Sequence, residues 1–444
     1  MSQKIKKYHI ITYGCQMNVH DSELLAGMLE NINYRYTSEL ENADIILLNT
    51  CIIRENAELK VYGKLGELKQ YKRKNPDLII GIGGCMMQQD DPVKEIYKKY
   101  KHVDLIFGTH NIHHVPELIR EIEKNRNRIV EVWDEAEGLI PDLPSKRDSN
   151  YSAWISIIQG CDNFCSYCIV PYVRGRERSR PLNSIISEAK KLVDDGVLEI
   201  TLLGQNVNSY GNDLDKKIDF PDLLTELNKI ENLTRIRFMT SHPRDLSSKL
   251  IDKINSLDKV CEHIHLPVQS GSNSILKQMN RGYTREYYLS RIEEIKNKLP
   301  NASISTDFIV GFPGENKDDF EDTLSLVEKV QFDMAYTFIY SPRKGTPAAE
   351  KNNQIPKEIK KERLNKLMDL QNRISYQKNQ QLIGKKLKIL ITGESTNNPE
   401  KLEGRSRTNK ICFVDKNKNL IGNIVEVEIK NAKSWTLEGE VLNI

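Results

Sequence analysis

The sequence predicts an α/β protein built from three consecutive domains. Two long stretches, residues 8–133 and 151–348, alternate short apolar runs with polar, helix-like segments, a pattern typical of parallel strands covered by helices. From about residue 387 the strand-like runs are short and separated by Gly and Asn, which favours a small β-barrel. We therefore expect an N-terminal parallel α/β sheet domain at 1–135, a linker at 136–150, a partial (βα)6 barrel of the TIM type at 151–378 and a small β-barrel at 379–444.

The composition limits the class of protein. The formal charge is +3 and 29% of the residues are charged, so the charge balance by itself favours neither a nucleic-acid binder nor a membrane protein. No run approaches the ~20 apolar residues of a membrane helix, and the apolar run after the basic N-terminus is too short for a signal peptide. Eight cysteines, six of them at predicted strand ends, indicate metal ligands in a reducing compartment and not a disulfide framework. We expect a cytoplasmic monomer without a membrane partner.

The first three predicted strands each end in a cysteine. Cys15, Cys51 and Cys85 follow three successive apolar runs, at intervals of 36 and 34 residues. Those intervals match one βαβ unit of ~30 or more residues. Because ligands of open parallel sheets gather beyond the carboxyl ends of the strands, the three thiols should meet in space. One such cysteine alone would be a buried structural thiol, but three at equivalent positions predict an iron–sulfur site.

Three more cysteines lie in the loop after the first strand of the predicted barrel. Cys161, Cys165 and Cys168 fall within eight residues, directly after the apolar run 153–158. Their sulfurs can converge on one soft metal centre, whereas a structural zinc site would need a second close pair of ligands, which does not follow. Three thiolates without a fourth favour a [4Fe–4S] cluster with one open iron. The alternatives are an incomplete zinc knuckle and a fortuitous surface cluster.

The predicted barrel carries polar residues where its strands end. Its six strand candidates are 153–158, 199–205, 235–240, 263–268, 303–310 and 333–340. In TIM-type barrels the chemistry is located at the carboxyl ends of the strands. The residues at or just beyond the ends of the second, fourth and fifth candidates are Gln205, Asn206, Gln269, Ser270, Val310 and Gly311. For His242 and His265 we expect a hydrogen-bonded structural role.

The C-terminal stretch combines basic and aromatic residues. Residues 381–444 contain 11 Lys and Arg against 8 Asp and Glu, so the net charge is not decisive. However, Arg405, Arg407 and Lys410 share one predicted loop, and Phe413 and Trp435 could stack on bases. We expect this loop to bind RNA. The alternative is a solvated loop beside two core aromatic residues.

Together these motifs resemble a known family. The spacing Cys-x-x-x-Cys-x-x-Cys resembles the radical S-adenosylmethionine (SAM) superfamily, and the run from Cys165 to Pro181 is similar to its methylthiotransferase branch. The motifs Gly-Cys-Gln-Met-Asn, Asn-Thr-Cys-Ile-Ile-Arg-Glu-Asn-Ala and Gly-Gly-Cys resemble the N-terminal domain of that branch, and residues 402–410 resemble the RNA-binding TRAM domain. The resemblance covers the whole chain in the same domain order.

The resemblance implies two [4Fe–4S] clusters and SAM as cofactors. Cys161, Cys165 and Cys168 would hold the cluster whose open iron binds SAM, and Tyr167 would pack near the adenine. An auxiliary cluster for sulfur supply would be held by Cys15, Cys51 and Cys85. The other implied SAM contacts are Gln205 and Asn206 for the amino group, Gln269 and Ser270 for the ribose, and Val310 and Gly311 beside the adenine.

The implied activity replaces an aromatic C–H bond by C–S–CH3. One SAM would methylate sulfur on the auxiliary cluster and a second would supply the 5′-deoxyadenosyl radical, so a reducing electron donor and a sulfur source are implied. The motifs are closest to the tRNA branch (MiaB type), which acts on N6-isopentenyladenosine at position 37 in the anticodon loop. The alternatives are threonylcarbamoyl-adenosine in tRNA, a ribosomal protein, and, in another class, a non-catalytic iron–sulfur RNA-binding redox sensor.

Overall fold

The computed structural model describes residues 5–52, 55–135, 142–215 and 217–443. The chain forms two compact units, each assembled from three stretches. The first unit comprises Met1–Asp148, Gln159–Asp162 and Ile169–Arg180, and the second comprises Ser149–Ile158, Asn163–Cys168 and Pro181–Ile444. Part of the predicted linker, residues 136–141, lies outside the described residues. The domain boundaries expected from the sequence stay predictions.

The first unit contains a six-stranded parallel sheet, which confirms the predicted N-terminal α/β fold. Its strands are β1 (Lys6–Thr12), β2 (Tyr34–Tyr36), β3 (Ile45–Thr50), β4 (Ile79–Gly84), β5 (Leu105–Phe107) and β6 (Ile129–Glu131). They lie in the order β2-β1-β3-β4-β5-β6, and every neighbouring pair is parallel. The helices between them are α1 (Gln16–Asn31), α2 (Glu55–Lys74), α3 (Asp90–Lys99) and α4 (Val115–Asn125).

The central strands of this sheet are apolar because both faces are covered. Every residue of β3 and β4 is buried. Along β3, Ile45 and Leu47 belong to one apolar cluster, whereas Ile46 and Leu48 belong to another. This alternation is expected when successive side chains point to opposite faces and helices pack on both of them. The sheet is therefore a rigid support for the loops at its carboxyl edge.

The second unit contains the six-stranded partial barrel that the sequence predicts. Its parallel strands form two sets, β11-β10-β7 and β12-β13-β14, and a parallel bridge joins Ile236 to Val260 between them. A continuous apolar core lies between the strands and their helices. In chain order, the elements from residue 152 to 380 are β7 (Ser152–Ser156), β8 (Ile158–Gln159), α5 (Val170–Arg174), β9 (Arg178–Ser179), α6 (Leu182–Asp194), β10 (Glu199–Leu203), α7 (Phe220–Asn228), β11 (Arg235–Phe238), α8 (Ser248–Ser256), β12 (His263–His265), α9 (Asn273–Gln278), α10 (Arg285–Lys298), β13 (Ser303–Val310), α11 (Lys317–Val330), β14 (Met334–Ile339) and α12 (Lys357–Gln380). Of these, α5 and β9 belong to the first unit, and β8 is divided, since Gln159 belongs to the first unit and Ile158 to the second.

The C-terminal residues of the second unit form a closed five-stranded barrel, again as predicted. Its strands are β15 (Lys386–Glu394), β16 (Lys401–Ser406), β17 (Ile411–Asp415), β18 (Ile424–Ala432) and β19 (Thr436–Asn443), in the closed order β15-β16-β17-β19-β18. Arg405 lies in β16, whereas the sequence predicts that it shares one loop with Arg407 and Lys410, so the loop prediction is wrong for this residue.

Small inward-facing residues explain why β16 is hidden in the sequence. Leu402, Gly404 and Ser406 are the buried positions of this strand. A Cβ atom on Gly404 would lie 2.5 Å from the carbonyl oxygen of Leu390, so the barrel interior has no room for a larger side chain there. Without bulky apolar residues at alternate positions, the period of two is not visible.

A helix that spans a membrane must be both long and apolar. Among the helices in the described parts of the chain, none combines the length and the apolar character needed to span a bilayer.

Candidate functional site

The three cysteines of the first unit lie at one edge of its sheet. The register aligns the carboxyl ends of β1, β3 and β4. Cys15 is the residue before α1, and Cys51 and Cys85 are buried just beyond the next two strand ends. A Cβ atom on Gly14, whose φ is +142°, would lie 2.8 Å from that of Cys51, so the loop approaches too closely for a side chain. The structure thus places the predicted auxiliary thiols at the same edge.

The donor atoms at this edge are the sulfurs of three cysteines, Cys15, Cys51 and Cys85. Within the described residues, no group of three or more His, Cys, Asp or Glu side chains is arranged to hold one metal ion. Thiolates are the ligands that iron–sulfur clusters use. The residues present therefore fit an iron–sulfur cluster.

A buried arginine contacts one of these thiols. Arg174 of α5 donates from Nε to the Cys85 sulfur at 3.3 Å and from Nη2 to the Asp21 carboxylate at 2.7 Å. Burial raises the pKa of Cys85 to about 11, although the charge of Arg174 opposes this rise. Burial also acts against the charge of Arg174, but Asp21, Cys85 and Cys15 together hold the pKa of Arg174 well above its usual range. The sequence does not predict this contact, because Arg174 is distant in the chain from both partners.

The cysteines of the second motif are divided between the units. Cys161 belongs to the first unit, and Cys165 and Cys168 to the second. The backbone N–H of Cys168 donates to the carbonyl of Cys165 at 2.9 Å, which forms a tight turn. The turn therefore keeps Cys165 and Cys168 close to each other, as two ligands of one cluster must be.

The second unit has its own buried arginine beside a thiol. Arg281 donates to the Cys165 sulfur at 3.3 Å, to the Tyr167 hydroxyl at 3.4 Å and to the carbonyl of Pro267 at 2.8 Å. Its Nε donates to the Tyr283 hydroxyl at 3.0 Å. Within the described residues no carboxylate pairs with Arg281, in contrast to Arg174.

Two of the predicted SAM contacts have surroundings that suit a ligand. Tyr167 packs against a small apolar cluster that includes Phe312 and Tyr340. Gln269 has a φ of +73°, and its backbone N–H donates to Asp307 at 2.9 Å. The side-chain oxygen of Gln269 is buried and accepts no hydrogen bond in the structure. A buried acceptor of this kind fits a ligand hydroxyl, such as one from a ribose.

The side chains of two other predicted SAM contacts, Asn206 and Ser270, are already hydrogen-bonded to other residues of the protein. The Asn206 amide donates to Asp245 at 2.7 Å and accepts from the backbone N–H of His242 at 3.1 Å. The Ser270 hydroxyl accepts from the backbone N–H of Ser272 at 3.2 Å. These side chains therefore shape the loops at the carboxyl ends of the strands. A direct contact of either with SAM stays a prediction.

The remaining predicted SAM contacts lie at or just beyond the carboxyl ends of two strands. Gln205 follows β10 closely, and Val310 is the last residue of β13. Gly311 has a φ of +70°, and its N–H donates to the Glu315 carboxylate at 2.9 Å. A glycine here allows the left-handed turn that closes β13. All three lie at carboxyl ends of barrel strands, where the sequence places them.

A buried polar group in the barrel includes His265, whose predicted hydrogen bonding is confirmed, whereas its partners are not predicted from the sequence. Ring nitrogens of His263 and His265 lie 2.8 and 3.0 Å from the Ser305 hydroxyl, and His265 lies 3.5 Å from the Asp307 carboxylate. Tyr336 of β14 packs edge-on against His265. Burial lowers the pKa of His263 to about 3, so this ring is neutral near neutral pH. The sequence signal for this group is the polar residue at every second position of β12 and of the first part of β13, where most of the intervening residues are apolar.

The basic residues predicted to bind RNA are partly used within the second unit. Lys410 is buried and pairs with Asp333 at 3.0 Å, and Arg407 donates from Nε to Glu262 at 2.9 Å. The Arg405 side chain is 38% exposed. Because two of the three charges are neutralised by carboxylates, the expected RNA contact of this segment rests mainly on Arg405, and it stays a prediction.

Three family matches cover most of the chain in sequence order. Residues 7–108 match the uncharacterized protein family UPF0004, residues 155–327 match the radical SAM superfamily and residues 380–442 match the TRAM domain. A solved radical SAM methyltransferase, TsrM from Kitasatospora setae, superposes with a TM-score of 0.59 at 14% identity over 78% of this chain and 74% of its own. This similarity shows the fold alone. Fold and matches define a radical SAM enzyme with a TRAM domain, a class whose cofactors are SAM and a [4Fe–4S] cluster.

Full-length relatives narrow the class further. Proteins named tRNA-2-methylthio-N(6)-dimethylallyladenosine synthase are 54% identical in Thermoanaerobacter pseudethanolicus, over 98% of this chain and 93% of the relative, and 55% identical in Alkaliphilus oremlandii, over 99% and 93%. The relative from Clostridium botulinum is 52% identical over 98% of this chain and 97% of its own. The chain belongs to this family of radical SAM methylthiotransferases.

Proposed function

We propose that this chain converts N6-isopentenyladenosine at position 37 of tRNA to its 2-methylthio derivative. Isopentenyl and dimethylallyl are two names for the same substituent, so the names of the relatives specify this substrate. The observation that carries the proposal is the presence of two groups of strand-end thiols, each with one sulfur hydrogen-bonded by a buried arginine. Inserting S–CH3 in place of hydrogen needs both a radical source and a sulfur carrier, and two thiol groups can provide both.

The SAM-binding cluster would be held by Cys161, Cys165 and Cys168. When bound and reduced, this cluster supplies the electron that cleaves SAM. Tyr167 would offer its ring to the adenine, and the buried oxygen of Gln269 would accept a ribose hydroxyl. The further contacts proposed at the strand ends are Gln205, Asn206, Ser270, Val310 and Gly311.

The auxiliary [4Fe–4S] cluster would be held by Cys15, Cys51 and Cys85. Its thiols lie at the carboxyl edge of a parallel sheet, where ligands of such sheets are bound. The glycines beside these cysteines allow the backbone to approach the cluster closely. This cluster would carry the sulfur that is transferred.

The target base would enter the barrel from the side of the edge strand β14. Tyr336 and Phe338 of this strand are 40% and 42% exposed, although both are aromatic. Exposed rings can stack on a base that has left the anticodon loop, and each such stack contributes about 1–3 kcal/mol. Asp307 and His265 beside Tyr336 would supply polar contacts to the base.

The proposed partners follow from the same chemistry. The anticodon loop of tRNA is the substrate, and Arg405 would contact its phosphates. A reducing electron donor and a sulfur source are needed for each turnover. We propose that the chain acts as a monomer.

Nucleoside mass spectrometry of tRNA tests the proposal. Cells that lack the gene should lose 2-methylthio-N6-isopentenyladenosine and accumulate the unmethylthiolated nucleoside. The wild-type gene and a Cys412→Ala control should restore the product, because Cys412 lies in the core of the small barrel. Cys51→Ala should not restore it, whereas its purified protein should still cleave SAM.

Two outcomes would contradict the proposal. Normal 2-methylthio levels in cells without the gene, or product formation by the Cys51→Ala variant, would reject the assigned substrate or the assigned role of the first-unit thiols. Activity on a ribosomal protein, with none on isopentenylated tRNA, would move the enzyme to the neighbouring branch.

A further inference from the structure

Arg174 is a buried, charged residue at the sheet edge that carries Cys15, Cys51 and Cys85. Three thiol ligands do not by themselves require an arginine at this position. It lies six residues after Cys168 in the chain, yet it belongs to the first unit and not to the second. Its side chain is 8% exposed and that of Asp21 is 11% exposed. α5 therefore delivers a guanidinium group into the buried surroundings of Cys85.

Burial of this ion pair needs a physical reason. Removing two charges from water costs several kcal/mol per ion, and the mutual attraction compensates for this cost only when the geometry is good and the remaining donors find acceptors. Asp21 accepts from Nη2 at 2.7 Å, but the acceptor for Nε is the Cys85 sulfur at 3.3 Å. A thiol is a weak acceptor, whereas a hydrogen bond to an ionised acceptor is about twice as strong as a neutral one. The arrangement is therefore suited to an anionic sulfur at Cys85.

We propose that Arg174 is a positioning residue of the auxiliary cluster, held by Asp21, which hydrogen-bonds the cluster sulfur at Cys85 and sets the reduction potential of the cluster. The inference rests on the proposed function, since it requires the auxiliary cluster. Hydrogen bonds to the sulfurs and net charge are among the factors that set the potential of an iron–sulfur cluster. Partners of the ligands also orient them.

The two members of the ion pair should act on the potential with opposite sign. Arg174→Gln removes a positive charge beside the cluster, so the reduced and more negative state becomes less stable and the potential falls. Asp21→Asn removes a negative charge and leaves Arg174 uncompensated, so the potential rises. Arg174→Lys keeps the charge, so it should restore most of the shift. A purely structural role for the pair predicts no such difference in sign.

The experiment uses the full-length chain with Cys161, Cys165 and Cys168 all changed to Ala, so that only the auxiliary cluster contributes. After anaerobic reconstitution, iron and sulfide are counted, and the midpoint potential is measured by a redox titration followed by electron paramagnetic resonance. Arg174→Gln, Arg174→Lys and Asp21→Asn are compared in this background. Arg176→Gln is the matched control, since the Arg176 side chain is 72% exposed and pairs with Asp162.

The expected result is about four irons per chain in the background protein, a lower potential for Arg174→Gln, a higher one for Asp21→Asn and no change for Arg176→Gln. Equal potentials in all variants would overturn the proposed role of Arg174, as would shifts of Arg174→Gln and Asp21→Asn in the same direction. Either outcome would leave the proposed function intact. If Arg174→Gln retains no iron, the potential of Asp21→Asn tests the inference instead. An unchanged or lower potential of the Asp21→Asn variant would reject it. A background protein without iron would instead overturn the auxiliary cluster itself, and with it the proposed function.

Discussion

The two ends of the six-stranded barrel both bury arginines, but they satisfy them differently. At the amino ends of the strands, Arg235 and Arg237 donate to backbone carbonyls of the small C-terminal barrel at 2.7–2.9 Å. Glu199 also pairs with Arg237 at 2.8 Å. At the carboxyl ends, Arg281 faces a thiol and has no carboxylate partner among the described residues, and Gln269 has a buried oxygen that accepts no hydrogen bond.

This difference separates the part of the barrel that stabilises from the part that binds. A buried polar group without a partner costs about 1–3 kcal/mol, so such groups are retained where a ligand completes their bonding. At the amino ends, backbone carbonyls of the protein already accept from the terminal nitrogens of both arginines, and Glu199 supplies the counter-charge. Substitutions at the amino ends should therefore change the free energy of unfolding, and substitutions at the carboxyl ends should change the chemistry.

The largest effect is expected at the amino ends, from Asp333→Asn. Asp333 pairs with Lys410 at 3.0 Å and with Lys378 at 2.7 Å, and the change leaves Lys410 buried without its counter-charge. We expect the free energy of unfolding to fall by about 3–5 kcal/mol, measured by urea denaturation. Asp415→Asn is the control, because that carboxylate pairs with Lys401 while 86% exposed and should matter little. Similar losses for both would contradict the stabilising role of the buried ion pair at the amino ends.

The same pair predicts a pH dependence. Burial acts to raise the pKa of Asp333, but Lys410 and Lys378 outweigh it and hold the pKa below its usual value. A depressed carboxylate pKa contributes stability above the unfolded pKa of about 3.9, and this contribution is lost as the pH falls through the lower folded pKa. As the pH falls from about 5 through the folded pKa, the wild type should therefore lose stability that Asp333→Asn never had. Parallel pH profiles for the two proteins would reject this linkage.

The second effect is expected at the carboxyl ends, from Arg281→Gln. Loss of the guanidinium beside Cys165 should reduce reductive cleavage of SAM about 10–100-fold, the range seen when a partner of a metal ligand is removed. The matched variant is Arg237→Gln at the amino ends, which should lower stability while cleavage per folded molecule stays unchanged. The spectrum of the reduced cluster should change only in the Arg281 variant. Equal cleavage of SAM by the Arg281 and Arg237 variants would contradict the difference between the two ends of the barrel.

The smallest effect is expected from Arg405→Ala. Its side chain is 38% exposed and pairs loosely with Glu403 at 4.0 Å, so the fold should tolerate the change. Loss of one phosphate contact should reduce the slope of log affinity against log salt by about 0.7 for single-stranded RNA. The comparison is Arg407→Ala, whose partner is Glu262 and which should instead lower stability. An unchanged salt slope for Arg405→Ala would exclude it from the RNA interface.

Local patterns predict strands with regular apolar runs and the cysteines at their ends, but neither β16 nor the partners of the buried arginines. Cys15, Cys51 and Cys85 are predictable because the βαβ spacing places equivalent loops at one edge. The bond from Arg235 to the carbonyl of Arg405 joins residues 170 positions apart, and no periodicity encodes such a pair. For the same reason, the sequence does not predict that Arg407 pairs with Glu262 and Lys410 with Asp333, and the contact of these two residues with RNA stays a prediction.

The stretch from Gln159 to Arg180 changes from the first unit to the second and back again. A gene segment that ends before residue 150 therefore omits part of the first unit, including Arg174. Recombination that exchanged only the N-terminal segment between diverged relatives would combine the thiols of one parent with the arginine of the other. We expect functional chimaeras to require that residues 169–180 are inherited together with the N-terminal segment, so the unit of inheritance is discontinuous in the gene.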